Sequence, residues 1–346
     1  MNPHAKLMSS LSLILGTTIT ISSNHWVMAW VGLEINTLAI LPIISQPHHP
    51  RAIEAAIKYF LVQAAASALI LFSSLTNAWT TGQWDITQLT TTTSSALLTI
   101  AIAMKLGLVP FHFWFPEVLQ GSSLTTALLL STMMKFPPIT LLFMSSTSLN
   151  PSLLTAMAIA SAALGGWMGL NQTQIRKILA FSSISHLGWM TIIIVFNPKL
   201  TLLTFYIYSL TTSTVFMALN TTKTTKLSTM MTSWTKTPML NATLMLTLLS
   251  LAGLPPLTGF LPKWLIIQEL TKQELSPAAS IITMLSLLSL FFYLRLAYYS
   301  TITLPPNSTN HKKHWYINKP TNPLIAALTS LSTLLLPISP LILTTI

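Results

Sequence analysis

Apolar runs of membrane-spanning length recur along the chain, separated by short polar or proline- and glycine-rich segments. An α-helix needs about 20 apolar residues to cross the hydrocarbon core of a bilayer. The pattern therefore predicts an all-α polytopic membrane protein, with residues 1–346 as a single transmembrane domain. About eleven transmembrane helices are expected, at residues 3–22, 26–45, 53–77, 95–118, 124–146, 150–170, 175–196, 200–221, 239–269, 277–302 and 323–343.

Composition agrees with this class. Hydrophobic residues make up 51% of the chain and charged residues 7%, against about 25% charged residues in a soluble domain. The absence of cysteine excludes disulfides, thiolate metal sites and iron–sulfur ligation. No dinucleotide, P-loop or HExxH motif occurs, and His48 and His49 have no third ligand near them. We therefore expect no cofactor and no metal on this chain.

The basic residues of the loops lie mainly on one side of the predicted membrane, the side of the amino terminus. Cytoplasmic or matrix loops carry such an excess. Their spread over short loops argues against nucleic acid as a partner, although the net charge is +11. The run at 311–319 is interpreted as a solvated loop, with lipid headgroups or a partner subunit as the alternative. The amino-terminal side holds Lys6, Arg51, Lys58, Arg176, Lys177, Lys223, Lys226, Lys236, Lys312, Lys313 and Lys319, and the opposite side Lys199 and Lys272.

Four charged side chains fall inside apolar runs: Glu34, Lys105, Lys135 and Lys263. An ionisable group at bilayer depth costs several kcal/mol, roughly 2.5–3.5 by insertion scales, and marks an ion or proton pathway by default. The four residues therefore suggest a proton relay. A polar line connecting the buried lysines through water is expected.

Two segments combine such a lysine with helix-breaking prolines: 105–117, which contains Pro110, and 253–264, which contains Pro255 and Pro256. Each interior proline removes a backbone hydrogen bond, and freed carbonyls at membrane depth must face protein or a water-filled cavity. A packing kink is the alternative. The segments lie in the fourth and ninth predicted helices, which cross in opposite directions. This arrangement indicates an inverted repeat with a pseudo-two-fold axis in the membrane plane.

Each charged residue has a purely structural alternative. Glu34 and Lys105 form either a protonation switch or a static ion pair that fixes helix register. Lys135 has no acid nearby in sequence, so it suits a proton carrier, unless it snorkels to an interface. Arg295 lies near the end of its helix, where snorkelling is the favoured interpretation.

Two histidines and one acid are weaker candidates. His186 is mid-span among serines and is either a relay or a structural histidine, since its unperturbed pKa is about 6.5. His112 and Glu117 lie in the first broken segment. His112 is a possible relay, and Glu117 a possible port or partner-facing charge.

Several motifs resemble one known family: GLEIN at Glu34, MKLGLVPFH at Lys105, MMKFPP at Lys135, LPKW at Lys263 and SSISHLGW at His186. They are similar to the second-subunit family of vertebrate mitochondrial NADH dehydrogenase. Its members are antiporter-like subunits in the membrane arm of respiratory complex I. The resemblance extends over essentially the whole chain.

The resemblance implies an antiporter-like fold and a proton path through these same five residues. It also implies the mitochondrial inner membrane, a matrix-side amino terminus, and assembly with other membrane-arm and accessory subunits and with lipid. NADH, flavin, iron–sulfur clusters and ubiquinone are expected in partner subunits.

Two other functions are compatible with parts of this pattern. A stand-alone cation/proton antiporter would need oxygen ligands for the cation, and Glu34 is the single acid near mid-membrane. A structural membrane subunit with an idle channel is the second alternative. The retained buried charges argue against it.

Overall fold

The computed structural model describes residues 3–46, 48–233, 237–301 and 323–339, and within these ranges it is helical. Extended pairing among them is limited to isolated bridges between His25 and Asp85 and between Gln174 and Lys226. The all-α prediction is confirmed. The basic run at 311–319 and Lys236 lie outside the described residues.

The chain divides into two compact units, Met1–Ser161 with Ile194–Pro198 and Ala162–Ile193 with Lys199–Ile346. The single transmembrane domain remains a prediction. The helices up to the boundary are α1 (Pro3–Ser22), α2 (Trp26–Ile44), α3 (Pro50–Thr81), α4 (Thr92–Leu106), α5 (Trp114–Gly121), α6 (Leu124–Ser131), α7 (Phe136–Met144) and α8 (Pro151–Gly169), which crosses it. The second unit continues with α9 (Ile175–Ile193), α10 (Pro198–Thr222), α11 (Leu227–Ser233), α12 (Pro238–Ala252), α13 (Phe260–Lys272), α14 (Ser276–Thr301) and α15 (Pro323–Leu334).

The predicted spans match these helices in order. In the described part of the chain, seven helical segments are long and apolar enough to cross a membrane, and three shorter apolar helices accompany them. The fourth and ninth predicted spans each consist of two helices separated by a break, α4–α5 and α12–α13. The last span is described to residue 339. Short helix α11 lies in the connection between the predicted spans 200–221 and 239–269.

Serine and threonine hydroxyls donate back to carbonyls one turn earlier within these helices. Thr20, Thr99 and Thr247 bond to the carbonyls of Thr17, Ala96 and Leu244 at 2.8, 2.7 and 2.9 Å. Because an unsatisfied hydroxyl is costly in an apolar environment, this local bonding lets hydroxyl-rich helices occupy the membrane.

Helices α1 and α2 pack closely through two glycines. A Cβ atom on Gly16 would lie 2.3 Å from Asn36 Oδ1, and one on Gly32 would lie 2.9 Å from the Gly16 carbonyl. Small residues allow membrane helices to approach to this distance. The close contact fixes the position of α2, which carries Glu34.

The first break follows Gly107, which ends α4 in the left-handed conformation with φ of 76°. Residues 107–113 are not helical and include Pro110, after which α5 begins. Two carbonyls near the end of α4 are satisfied from outside the helix. Trp114 Nε1 donates to Met104 O at 3.2 Å, and Gln63 Nε2 donates to Lys105 O at 3.3 Å.

The second break has the same local pattern. Gly253 ends α12 with φ of 82°, and residues 253–259 are not helical before α13 begins. The unwound backbone predicted at Pro110 and at Pro255–Pro256 is therefore present in both places. The two-fold relation between the breaks remains a prediction.

A third interruption divides the span that contains Lys135. Residues Met133–Lys135 form a 3-10 turn between α6 and α7, and Pro137 and Pro138 occupy the first turn of α7. Proline has no backbone N–H and is favoured in that position. The adjacent prolines therefore explain why the helix restarts there.

Candidate functional site

In the first unit, Lys105 and Lys135 line one cavity of about 20 Å³, together with Tyr59 and Gln63. Both lysines are buried, with exposures of 5% and 3%. A polar cavity of roughly 10–15 Å³ holds one water. This cavity therefore has room for a water molecule in contact with two titratable amines.

Lys105 lies in the last turn of α4, directly before the break. Its Nζ is buried and has no hydrogen-bond partner among the residues that the structure describes. The carbonyl end of a helix stabilises a cation, and the cavity supplies room for solvation. This environment suits an amine that gains and loses a proton.

Lys135 lies in the 3-10 turn between α6 and α7. Its Nζ is 4.6 Å from the centroid of the Phe115 ring, which belongs to α5. A desolvated cation over an aromatic face is stabilised by about 2 kcal/mol. The Phe115 contact holds the ammonium inside the protein instead of at an interface, so the snorkelling interpretation of Lys135 is not supported.

Glu34 is half-buried on α2 and does not line this cavity. Its carboxylate interacts electrostatically with Lys105 and with Tyr59. Within the described ranges the two charged groups form no ion pair at 4.0 Å or less. The pair is therefore coupled through space without direct contact, and its role as a protonation switch remains a prediction.

In the second unit, His186 and Lys263 line a cavity of about 30 Å³ together with Trp189, Tyr208 and Ser250. The volume is enough for one or two waters by the same criterion, roughly 10–15 Å³ each. A histidine and a lysine thus share one small cavity. This arrangement parallels the pair of lysines in the first unit.

Lys263 is half-buried on α13 and spans the second break. Its Nζ donates to the Ala252 carbonyl at 2.7 Å and lies 5.7 Å from the centroid of the Trp189 ring. Its aliphatic chain covers Gly253, where an added Cβ would lie 2.9 Å from Lys263 Cδ. The lysine therefore satisfies the final carbonyl of α12 while it faces the cavity.

His186 is half-buried on α9 between two tyrosines. Its Nε2 is 3.3 Å from the Tyr293 hydroxyl of α14, and its ring centroid is 5.4 Å from that of Tyr208 on α10. The neighbouring serines bond within their own helix. Ser182 and Ser183 donate to the Leu179 and Ala180 carbonyls. Two tyrosines from other helices therefore contact the His186 ring.

His112 and Glu117 are not among the residues that line the two cavities. His112 is buried in the first break, where its ring lies 4.2 Å from the Phe113 ring. The Glu117 carboxylate accepts from Lys58 Nζ at 2.7 Å on an exposed surface, where Glu54 also pairs with Lys58. The relay role of His112 and the port role of Glu117 remain predictions.

Arg295 and the paired histidines have structural contacts. The Arg295 guanidinium donates to the Leu170 carbonyl at the end of α8 and lies 5.6 Å from the Tyr299 ring. His49 caps the start of α3 by accepting from the Arg51 amide. The described residues contain no group of three histidine, aspartate or glutamate side chains able to hold a metal.

Sequence reasoning missed Gln63, Tyr208 and Tyr293. Gln63 is a lone amide in the apolar run KYFLVQAAASAL, and that isolation was a usable signal. The two tyrosines gave no comparable signal, because tyrosine is frequent where membrane helices meet the interface and does not by itself mark a buried site.

Comparison with family models gives two matches. Residues 23–289 match the model described as NADH:quinone oxidoreductase/Mrp antiporter, TM. Residues 290–343 match the NADH dehydrogenase subunit 2 C-terminus. The two matches are contiguous.

Similar proteins are found at high identity. The chain is 78% identical over 343 residues to the NADH-ubiquinone oxidoreductase chain 2 of Struthio camelus, with 99% of both chains covered. It is 75% identical over 344 residues to that of Gallus gallus, again with 99% of both covered.

Solved structures share the fold. A chain in the respiratory complex I of Thermus thermophilus with bound aureothin is 25% identical with a TM-score of 0.85, covering 96% of this chain and 77% of that one. A chain of the Mrp complex from Dietzia sp. DQ12-45-1b is 18% identical with a TM-score of 0.77, covering 86% and 61%. The latter likeness concerns the fold alone.

Proposed function

Because this chain belongs to the NADH-ubiquinone oxidoreductase chain 2 family of antiporter-like complex I membrane subunits, we propose that its buried lysines and His186 carry protons across the membrane. The chain is a subunit of a proton-translocating oxidoreductase, and its partners are the other subunits of that complex. The proposal assigns the relay to Glu34, Lys105, Lys135, His186 and Lys263.

The observation that carries the proposal is the pairing of titratable groups around two small cavities. Lys105 and Lys135 share one, and His186 and Lys263 share another. Proton transfer needs a donor and an acceptor within hydrogen-bond reach, directly or through one water. Each cavity has room for that water. A purely structural charge would gain no advantage from room for a water molecule beside a second titratable group.

The proposed mechanism has one local step in each unit. A protonated amine transfers its proton through a cavity water to its neutral neighbour, and it is then recharged. Desolvation makes the charged form of each buried group costly. A small change in nearby charge is therefore enough to move the proton from one group to the other. Glu34 supplies such a charge for Lys105, since the two interact electrostatically.

Orientation and cofactors follow from the same assignment. The amino terminus is proposed to face the matrix, because the excess of basic loop residues lies on its side. NADH, flavin, iron–sulfur clusters and ubiquinone are proposed to bind partner subunits, whose redox chemistry supplies the energy. Protease accessibility of the amino terminus in mitoplasts tests the orientation.

The experiment compares Glu34→Gln, Lys105→Met and the exposed control Lys199→Met in vesicles containing the intact complex. We expect fewer pumped protons per NADH in the first two variants and an unchanged value in the control. Glu34→Gln and Lys105→Met keep approximate side-chain volume, so assembly should largely survive. Wild-type stoichiometry in both would mean that these charges are structural and that the idle-channel alternative holds.

A further inference from the structure

Thr258, in the second break, is bonded to helix α15 through its side chain. The Thr258 hydroxyl donates to the Ser332 carbonyl, which lies 74 residues later in the chain. Both residues are buried, with an exposure of 2% each. Ser332 belongs to the last turn of α15, where the backbone carbonyls have no donor within their own helix. Thr258 therefore satisfies the end of α15 from a distant loop.

This hydrogen bond is enclosed by side chains of α10 and of the end of α15. They are Ile207, Leu210, Thr211, Leu331 and Leu335. Among the residues that the structure describes, the space between these side chains does not admit a water molecule. Water therefore could not replace the Thr258 hydroxyl as the donor. Because a buried carbonyl without a donor is costly, the contact between Thr258 and α15 is favoured.

The backbone of Thr258 holds the start of the next helix. Its carbonyl accepts from the Leu261 amide, in the first turn of α13, at 3.3 Å. Lys263 follows two residues later and reaches back across the break, where its Nζ donates to the Ala252 carbonyl at 2.7 Å. Thr258 is thus bonded to α15 by its side chain and to the helix that carries Lys263 by its backbone.

Gly259, the next residue, packs against α12. A Cβ atom on Gly259 would lie 1.7 Å from the Ser250 carbonyl oxygen. Gly259 and Ser250 both line the cavity that His186 and Lys263 share. A movement of the loop away from α15 would therefore displace part of the wall of this cavity.

We propose that Thr258 is a positioning residue for Lys263: its hydrogen bond to α15 fixes the second break in the arrangement that places the lysine at the cavity shared with His186. This inference rests on the proposed relay function of Lys263. The Thr258 hydroxyl transfers no proton itself, since it is directed to Ser332. Transfer through one water needs the donor and the acceptor within reach of that water, and Thr258 maintains this geometry through the break.

The test measures pumped protons per NADH in vesicles with the intact complex, at equal complex content. Thr258→Val keeps the shape of the side chain and removes the donor, whereas Thr258→Ser keeps the donor. The matched control is Thr247→Val on α12. Thr247 is also buried, with an exposure of 1%, but its hydroxyl bonds to the Leu244 carbonyl of its own helix. Lys263→Gln is measured alone and together with Thr258→Val.

We expect Thr258→Val to lower pumping, by no more than Lys263→Gln does, because Thr258 acts through Lys263. The break should lose up to about fivefold of its preference for the native arrangement, the factor that one net hydrogen bond provides. Thr258→Ser should restore most of the pumping, and Thr247→Val should pump as the wild type does. In the Lys263→Gln background, Thr258→Val should cause no further loss, since residues that act as a unit are not additive.

The opposite results separate this inference from the relay function. Wild-type pumping in Thr258→Val, with impaired pumping in Lys263→Gln, overturns the inference and leaves the relay intact. Wild-type pumping in Lys263→Gln overturns both. An equal loss in Thr258→Ser and Thr258→Val, or a further loss in the double variant, shows a structural role that does not act through Lys263 and also overturns the inference.

Assembly of the variants is measured first. If Thr258→Val does not assemble, Thr258→Ala takes its place with Thr247→Ala as its control, and the same outcomes apply. If neither Thr258 variant assembles, the inference is overturned, because Thr258 is then required for the fold instead of for the position of Lys263.

Discussion

Lys263 Nζ donates a 2.7 Å hydrogen bond to the carbonyl of Ala252, the last residue of α12 before the second break. The first break is held differently. There the freed carbonyls accept from Trp114 and Gln63, whose side chains do not titrate. The geometry of the second break is therefore linked to a titratable side chain, whereas the described side-chain donors at the first break do not titrate.

Replacing Lys263 should separate these two roles. Lys263→Met removes both the titratable group and the donor to Ala252, so pumping should fall and the complex should lose stability. An unsatisfied buried carbonyl costs about 1–3 kcal/mol. Lys263→Gln keeps a neutral donor and should lose pumping with less loss of stability. The measurements are pumped protons per NADH and the melting temperature of the complex. Equal stability loss in both variants would contradict the capping role.

Gln63→Leu should weaken the first break. The Lys105 carbonyl loses its donor from α3, and the position of Lys105 beside the cavity becomes less defined. We expect a loss of about 1–3 kcal/mol and a lower pumping stoichiometry at unchanged NADH binding. Gln83→Leu in an exposed loop is the control. Normal pumping and thermal stability in Gln63→Leu would show that the amide has no role in positioning Lys105.

The sequence was sufficient to predict the positions of the helices and to identify the charged residues inside them. Lys105 and Lys263 stand out because a lysine beside a helix break in an apolar run has a high burial cost. The 3-10 turn at Lys135 was also accessible, since Pro137 and Pro138 favour a new helix start. It was missed because the hydrophobic pattern continues through it.

The tyrosines around His186 could not be found this way. Tyr208 and Tyr293 come from helices far apart in sequence, and only the packing of α10 and α14 against α9 makes them neighbours. A sequence pattern predicts which face of a helix is apolar. It does not predict which residues of another helix pack against that face.

Gly259→Ala should disrupt the second break. A Cβ atom at Gly259 would lie 1.7 Å from the Ser250 carbonyl oxygen, so the backbone must move. Overpacking of this kind costs typically about 1–3 kcal/mol, occasionally more. Gly82→Ala is the comparison without a close contact, because Gly82 has open space around it; its φ of 72° adds backbone strain that Gly259, with φ of −67°, does not have. The amount of assembled complex and its melting temperature should fall far more for Gly259→Ala. A similar effect at both sites would contradict this prediction, because the close contact at Gly259 would then cost no more than the backbone strain at Gly82.

Lys105 and Lys135 line the same cavity, which predicts non-additive loss of function. If the two lysines act in succession on one proton path, replacing either of them blocks that path. Replacing both then adds little to the loss of pumping. Lys105→Met with Lys135→Met should then pump no worse than the worse single variant. Residues that act as a unit show such non-additivity. If the two lysines had independent roles, the fold-losses of pumping in the two single variants would instead multiply in the double variant. The comparison needs pumped protons per NADH for both single variants and the double variant at equal complex content, with Lys199→Met as the charge control. A multiplicative loss would place the two lysines on separate paths, despite their shared cavity.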